Sequence, residues 1–255
     1  MPWTISHPAA AVPFARRGLV FSALVVGSMA PDFVYVLPLP FNRAFSHSLA
    51  GVGLLVLPLS LVVLWFFHAL LKRPLLALLP IHQQERLLPH AGNFAFGPTR
   101  RFVLIVASVL VGALTHVVWD GFTHASDWGV RLFPVLTTPL VGLLPIYRAL
   151  QYVSTIGGAL VLAYWYGGWF KRAPRHLVPV AQRLSARQRL LWLVGLAVGV
   201  GVLTGSYGLL VFLTTPRQLS PFHLFQEASQ VSGLILALEL LAFSLLLRRH
   251  RSELY

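Results

Sequence analysis

Five segments of the chain, residues 49–71, 102–122, 149–170, 190–213 and 231–247, are almost continuously apolar. Each approaches or exceeds the ~18–20 residues that a helix needs to cross bilayer hydrocarbon. None alternates as a strand would. In lipid only helices or closed barrels satisfy their own backbone groups, so these runs read as membrane helices. Composition supports the same solvent. Hydrophobic residues make up 56% of the chain and charged residues 11%, against roughly 25% charged in an average globular protein. Mean hydropathy is +0.73. Such a chain could not cover its own surface with polar groups, and it is far too apolar to remain disordered. The absence of cysteine excludes disulfides, thiolate metal sites and cysteine nucleophiles.

The first apolar region differs from the others. Pro13, Arg16, Arg17 and Gly18 interrupt residues 9–36. They predict a hairpin of two short helices, residues 8–15 and 19–30, turning at residues 16–18; a single sixth span over 18–37 is the alternative. Arg16-Arg17 ahead of residues 18–26, with Ser28-Met29-Ala30 after them, only loosely resembles a secretory signal. The expected fold is therefore all-α. It is a polytopic integral membrane helical bundle of about five full transmembrane helices plus the N-terminal hairpin. Its expected division is a core over residues 1–170, a basic cytoplasmic linker over 171–189 and a two-helix membrane segment over 190–255. The linker could form an amphipathic surface helix.

A formal net charge of +13 could point to nucleic acid. The spans, however, sort the basic residues by side. One side receives 16 Lys/Arg and the other only Arg43, Arg131, Arg148 and Arg217. Basic residues collect in cytoplasmic loops, so the charge reads as orientation and no nucleic-acid partner is expected. A bacterial inner (cytoplasmic) membrane is the expected location, with the chain's end cytoplasmic and the loops near 38–48 and 123–148 outside. The number of copies in an assembly is left open.

The few polar residues then fall into a pattern. Asp32 ends the first hairpin, His47 opens the next span, His116 and Asp120 end the following one, and His124 lies four residues on. A hairpin returns His7 to the same side, whereas one straight helix would hold it ~37 Å from Asp32. His116 and Asp120, four residues apart, share a helix face. Four His and two Asp at one membrane edge suit divalent metal, because imidazole binds zinc-like ions and carboxylates can bridge two of them. Ionisable residues at membrane depth mark function by default. Ser46, Ser48, Thr115 and Thr123 flank these positions and could orient them; capping is the plainer role, notably for Ser46. Arg43, Arg148 and Gln151 lie on the same side and could hold an anionic substrate, with headgroup anchoring the alternative for the two arginines. Asp127 reads as a loop cap. His68, His82, His90, His176, His223 and His250 sit in weaker contexts. Glycine pairs 195/199 and 201/205 read as close helix packing.

The stretches Thr4-Ile5-Ser6-His7-Pro8, Gly27-Ser28-Met29-Ala30-Pro31-Asp32, Phe45-Ser46-His47-Ser48, Thr115-His116-Val117-Val118-Trp119-Asp120 and Leu150-Gln151-Tyr152 resemble a bacterial membrane family, domain of unknown function 4184. That family is similar to predicted membrane-bound metal-dependent hydrolases. The order His, Asp, His, His-xxx-Asp, His is also distantly similar to zinc phospholipase C and its related zinc nucleases. That likeness implies His7, Asp32, His47, His116, Asp120 and His124 as ligands. No later His and His-xxx-Glu pair follows here, so two zinc ions are expected rather than three. The implied activity is hydrolysis of a phosphoester or phospholipid-like substrate at the membrane interface by metal-activated water. Asp32 and Asp120 would be catalytic, bridging the ions or holding the water. A metal-binding membrane protein without turnover (sensor, carrier or assembly factor) is the alternative.

Overall fold

A computed structural model describes residues 6–15, 17–92, 94–179, 183–214 and 221–252, with side chains at all of these except 212, 221–226 and 250–252. Thr4, Ile5, Arg16 and Arg217 lie outside the described residues, as do the side chains of His223, His250 and Arg251. The structure is predominantly helical. In chain order it forms α1 (Pro8–Ala15), α2 (Phe21–Met29), α3 (Leu49–Leu78), α4 (Ile81–Leu87), α5 (Thr99–Thr123), α6 (Trp128–Leu132), α7 (Ile146–Arg172), α8 (Ala186–Thr214) and α9 (Pro221–Ser252). A 3-10 turn, Ala30–Tyr35, follows α2, and a single helical turn, Arg43–Ser46, precedes α3.

Four helices are long and apolar enough to cross a membrane: Leu49–Leu78, Thr99–Thr123, Ala186–Val211 and Glu227–Arg249. The fifth segment read from sequence does form a helix, α7, with 27 residues, but it is less apolar than those four. Gln151, Tyr152, Ser154 and Thr155 occupy its beginning and Tyr164-Trp165-Tyr166-Gly167-Gly168 its end. Residues 123–148, read as an outer loop, hold α6 and a small antiparallel hairpin, β1 (Pro139–Val141) with β2 (Leu144–Pro145). Gly142 turns that hairpin with φ +56°, a conformation that costs glycine little.

One compact unit comprises residues 1–32, 41–64 and 95–172. Here α1 and α2 form the hairpin, and Gly18 (φ +85°) makes the reversal. Helices α2 and α5 pack through facing glycines. A Cβ on Gly27 would overlap the Val109 carbonyl, and one on Gly112 would overlap the Leu24 carbonyl and lie 2.8 Å from the Ser28 nitrogen. Small residues let membrane helices approach backbone to backbone in this way. The Arg43–Ser46 turn and the start of α3 are each capped. The Asn42 side chain accepts from the Phe45 N–H (2.9 Å), and Ser48 Oγ accepts from the Gly51 N–H (3.0 Å).

The second unit comprises residues 33–40, 65–94 and 173–255. Ala77, Leu78, Phe243 and Leu247 form its buried apolar cluster, with Trp192 packed on Phe243. Helix α3 widens into π turns at Val52–Val56 and Phe67–Leu71. Pro58 and Pro74 follow these turns. A proline ring clashes with the carbonyl four residues earlier and cannot bond it, and a widened turn relieves the clash. The Leu70 carbonyl, freed by Pro74, accepts from Ser244 Oγ (2.6 Å) and from Arg248 (3.2 Å). Gln84, buried between α3 and α4, donates to the Ala77 and Leu79 carbonyls at 3.2 and 2.7 Å. His68 stacks on Phe94 at 3.9 Å, a packing role. Residues 173–179 and 183–185 of the expected basic linker are not helical.

Candidate metal centre

The site lies within the first unit and is assembled from helix ends. Asp32 stands on the turn just past α2, His47 between the Arg43–Ser46 turn and α3, and His116 and Asp120 on the last two turns of α5. One ligand atom from each of these four lies within 4.8 Å of the others, so the group could hold a metal ion. His116 and Asp120 are buried at 0% and 1% exposure.

Backbone carbonyls fix which imidazole nitrogens face the cluster. His116 Nδ1 is 2.8 Å from the Ser28 carbonyl. A carbonyl only accepts, so Nδ1 carries a proton, and Nε2 points into the cluster with a lone pair when the ring is neutral. The glycine-to-glycine approach of α2 and α5 is what brings Ser28 that close. His47 Nδ1 donates toward the Arg43 carbonyl (3.1 Å) and Ser46 Oγ (3.0 Å), and the Ser46 hydroxyl donates to the same carbonyl. His47 Nε2 is likewise left as an acceptor. The two Nε2 atoms face each other at 3.2 Å; with both rings neutral these are two lone pairs, which a cation between them would satisfy. Asp32 Oδ1 lies 3.6 Å from both, and Asp120 Oδ2 lies 3.3 and 3.5 Å from them. Two nitrogen and two carboxylate donors converging on one point fit a divalent cation. Carbonyls behind the rings are the usual support for ligating histidines.

The other two expected ligands flank this group. His7 stacks on His116 with ring centres 3.9 Å apart. Its Nε2 lies 3.7 Å from Asp120 Oδ1, and both atoms are buried without a hydrogen-bond partner among the described residues. Burial, followed by the neighbouring His116, pushes the His7 pKa down to about 4, which keeps the ring neutral, as a metal ligand must be. His124 caps α5 on the other side. Its Nδ1 lies 3.3 Å from the Asp120 carbonyl and 3.5 Å from Asp120 Oδ2, while its Nε2 accepts from the Gln151 amide at 3.2 Å. His124 thus stands beside the group with its lone pair turned toward Gln151. Burial and then the Arg43 charge, against the opposing Asp120, hold its pKa below the usual histidine value.

Arg43 is placed as a clamp. Its guanidinium bonds Asp127 through two nitrogens (2.8 and 2.7 Å) and Asp120 Oδ2 at 3.0 Å. Burial opposes its charge, but Asp127 and then Asp120 outweigh it and hold the pKa above the usual arginine value. Asp127, read as a loop cap, makes no side-chain cap bond and is the other half of this clamp. The signal was present, because Arg43 and Asp127 are among the few charges on their side, but nothing in sequence spacing pairs them. Arg148 is exposed beside Tyr147. Of the flanking hydroxyls, Ser46 touches the imidazole of His47 and Thr123 that of His124, at 3.0 and 3.3 Å. Ser48 caps α3, and Thr115 bonds its own helix at the Gly112 carbonyl. The Ser28 carbonyl was missed, because a backbone group leaves no mark in sequence.

Comparison with curated proteins and with solved structures finds no match. Residues 1–247 match the family described as "Domain of unknown function (DUF4184)". That match covers nearly the whole chain, all of the first unit, most of the second and every residue of the cluster, and the protein belongs to this family.

Proposed function

We propose that the protein is a membrane-embedded metal-dependent hydrolase acting on a phosphoester or phospholipid-like substrate at the membrane interface. The observation that carries this reading is the convergence of two lone-pair imidazoles and two carboxylates at the end of a helix long and apolar enough to cross a bilayer. When bound, a divalent ion such as zinc supplies Lewis acidity, acidifying water and polarising a phosphoryl oxygen. Asp120 uses Oδ2 on the imidazoles and Arg43, while Oδ1 is held out toward His7. That oxygen and His7 Nε2 could bind a second ion or accept a proton from water. Gln151 fixes the His124 ring. Arg43, tied to two carboxylates, orients Asp120, and exposed Arg148 is the residue left to meet an anionic headgroup. The 16-to-4 distribution of basic residues supports a bacterial inner membrane with the site facing outward.

A second reading has its own support. Four protein ligands with little exposure resemble a closed structural site more than one with an open position, and this favours a metal-binding role without turnover. Metal analysis of the purified wild type, His116→Ala and Asp120→Ala is the first test. Stoichiometric divalent metal lost in both variants is expected, and a wild type without it refutes both readings. Metal-dependent release of phosphate or headgroup from a phospholipid panel separates the hydrolase from the binder.

A further inference from the structure

A cavity of 410 Å³ adjoins the cluster within the first unit. It runs between the start of α1, the end of α5 and the beginning of α7. Ala9, Ala10, Trp119, Leu150, Val153 and Gly157 supply its apolar wall. Its size falls within the range of ligand pockets. Three hydroxyls border it, and each is spent on the protein. Ser6 Oγ donates to the Thr155 carbonyl (2.7 Å), and Thr155 Oγ1 donates to the Gln151 carbonyl (2.8 Å). Ser154 Oγ donates to the same carbonyl (3.1 Å) and accepts from Trp119 Nε1 (3.1 Å). An occupant therefore meets hydrocarbon and finds almost no hydrogen bond to make. His7 lines the cavity too and stacks on His116; its Nε2 is buried on the side of Asp120 Oδ1, at 3.7 Å, with no hydrogen-bond partner among the described residues. Val153 and Trp119 are 68% and 40% exposed, so the cavity opens sideways, beside a helix that can cross a membrane. Tryptophan at such a helix end sits at headgroup level.

We infer that this cavity is the binding site for the hydrocarbon tail of a membrane lipid, held so that its polar end reaches His7 and the carboxylates beside it. The inference rests on the hydrolase reading for the role of the polar end, and makes the substrate a tailed amphiphile drawn from the bilayer. A tail drawn from the bilayer leaves hydrocarbon rather than water, so what it gains here is contact with a wall that otherwise lacks it.

Gly157 offers a clean test, because a Cβ there would meet nothing within 4 Å. Leucine at 157 fills the cavity without displacing backbone. The full chain is placed in phosphatidylcholine nanodiscs containing phosphatidic acid with a diazirine on its acyl chain. After irradiation, labelled peptides are mapped and metal is measured on the same preparations. The expected result is labelling concentrated on residues 9–10 and 150–157. Gly157→Leu lowers it roughly tenfold, because the leucine side chain occupies the volume that the tail would fill and removes its contacts with the wall. Labelling of exposed α8 stays constant as the internal standard. Moving the diazirine along the chain in wild type shifts the label along α7, a readout that needs no variant. Cavity labelling no stronger than that of α8, or unchanged by Gly157→Leu, overturns the inference. Labelled cavity without metal leaves the tail site standing and removes the metal reading; metal with an unlabelled cavity does the reverse.

Discussion

Replacing Gly112 by alanine should weaken metal binding although residue 112 is no ligand. Its Cβ would lie 2.8 Å from the Ser28 nitrogen and overlap the Leu24 carbonyl. Restoring ordinary contact at 3.4 Å moves Ser28 outward by about 0.6 Å. Directed along the 2.8 Å bond between His116 Nδ1 and the Ser28 carbonyl, that shift stretches it to about 3.4 Å, past the range of an N–H···O bond. The His116 ring then loses the partner that fixes its tautomer. Losing such a support costs about 10–100-fold in metal affinity, or about 1.4–2.7 kcal/mol. Overpacking should also lower stability by about 1–3 kcal/mol. The assay is competition for zinc against a chromophoric chelator in detergent, with melting followed in parallel. Gly195→Ala is the control, because its Cβ meets nothing within 4 Å. Wild-type zinc affinity in a folded Gly112→Ala protein would refute the link from helix spacing to the site.

Other perturbations follow from the same geometry. Arg43→Gln leaves Asp120 and Asp127 without their shared cation; discounted for the partial exposure of the pair, the expected loss is about 1–3 kcal/mol in thermal melting, and an unchanged midpoint argues against the clamp. Asp127→Asn should cost less, because Arg43 keeps its bond to Asp120. Ser244→Ala removes a partner of the Leu70 carbonyl and should destabilise by about 0.6–1.7 kcal/mol, read by steric trapping in bicelles. Reporter fusions after residue 130 should report the outside and those after 180 the cytoplasm; the reverse pattern moves the site to the cytoplasmic face.

Much of the scaffold was legible because hydropathy and proline act locally. Continuous apolar runs located the long helices, and Pro13 with Gly18 located the hairpin, whose helices fall at Pro8–Ala15 and Phe21–Met29. Helix ends then brought His7, Asp32, His47, His116, Asp120 and His124 near one another. What stayed hidden depends on partners distant in sequence. The clamp of Arg43 on Asp127 spans 84 positions. The support of His116 comes from a carbonyl 88 positions away, through two glycines whose fit is visible only when the helices meet. Residues 149–170 read from sequence as a full span, but α7 is not among the four helices long and apolar enough to cross, because its polar first turns and aromatic, glycine-rich end dilute the apolar run between them.

The proline-widened turns of α3 bear on how an apolar helix acquires an address. The segment from Ala69 to Leu71 carries no polar side chain, yet it presents acceptors at the Ala69 and Leu70 carbonyls that Ser244 and Arg248 find. The position of Pro74 writes that address. Shifting the proline by one residue would carry the exposed carbonyl about 100° around the helix and about 1.5 Å along it. The α9 side chains would then face closed backbone. In a segment too apolar for conventional polar recognition, proline placement encodes which side a neighbour docks on, and it does so without adding a polar side chain.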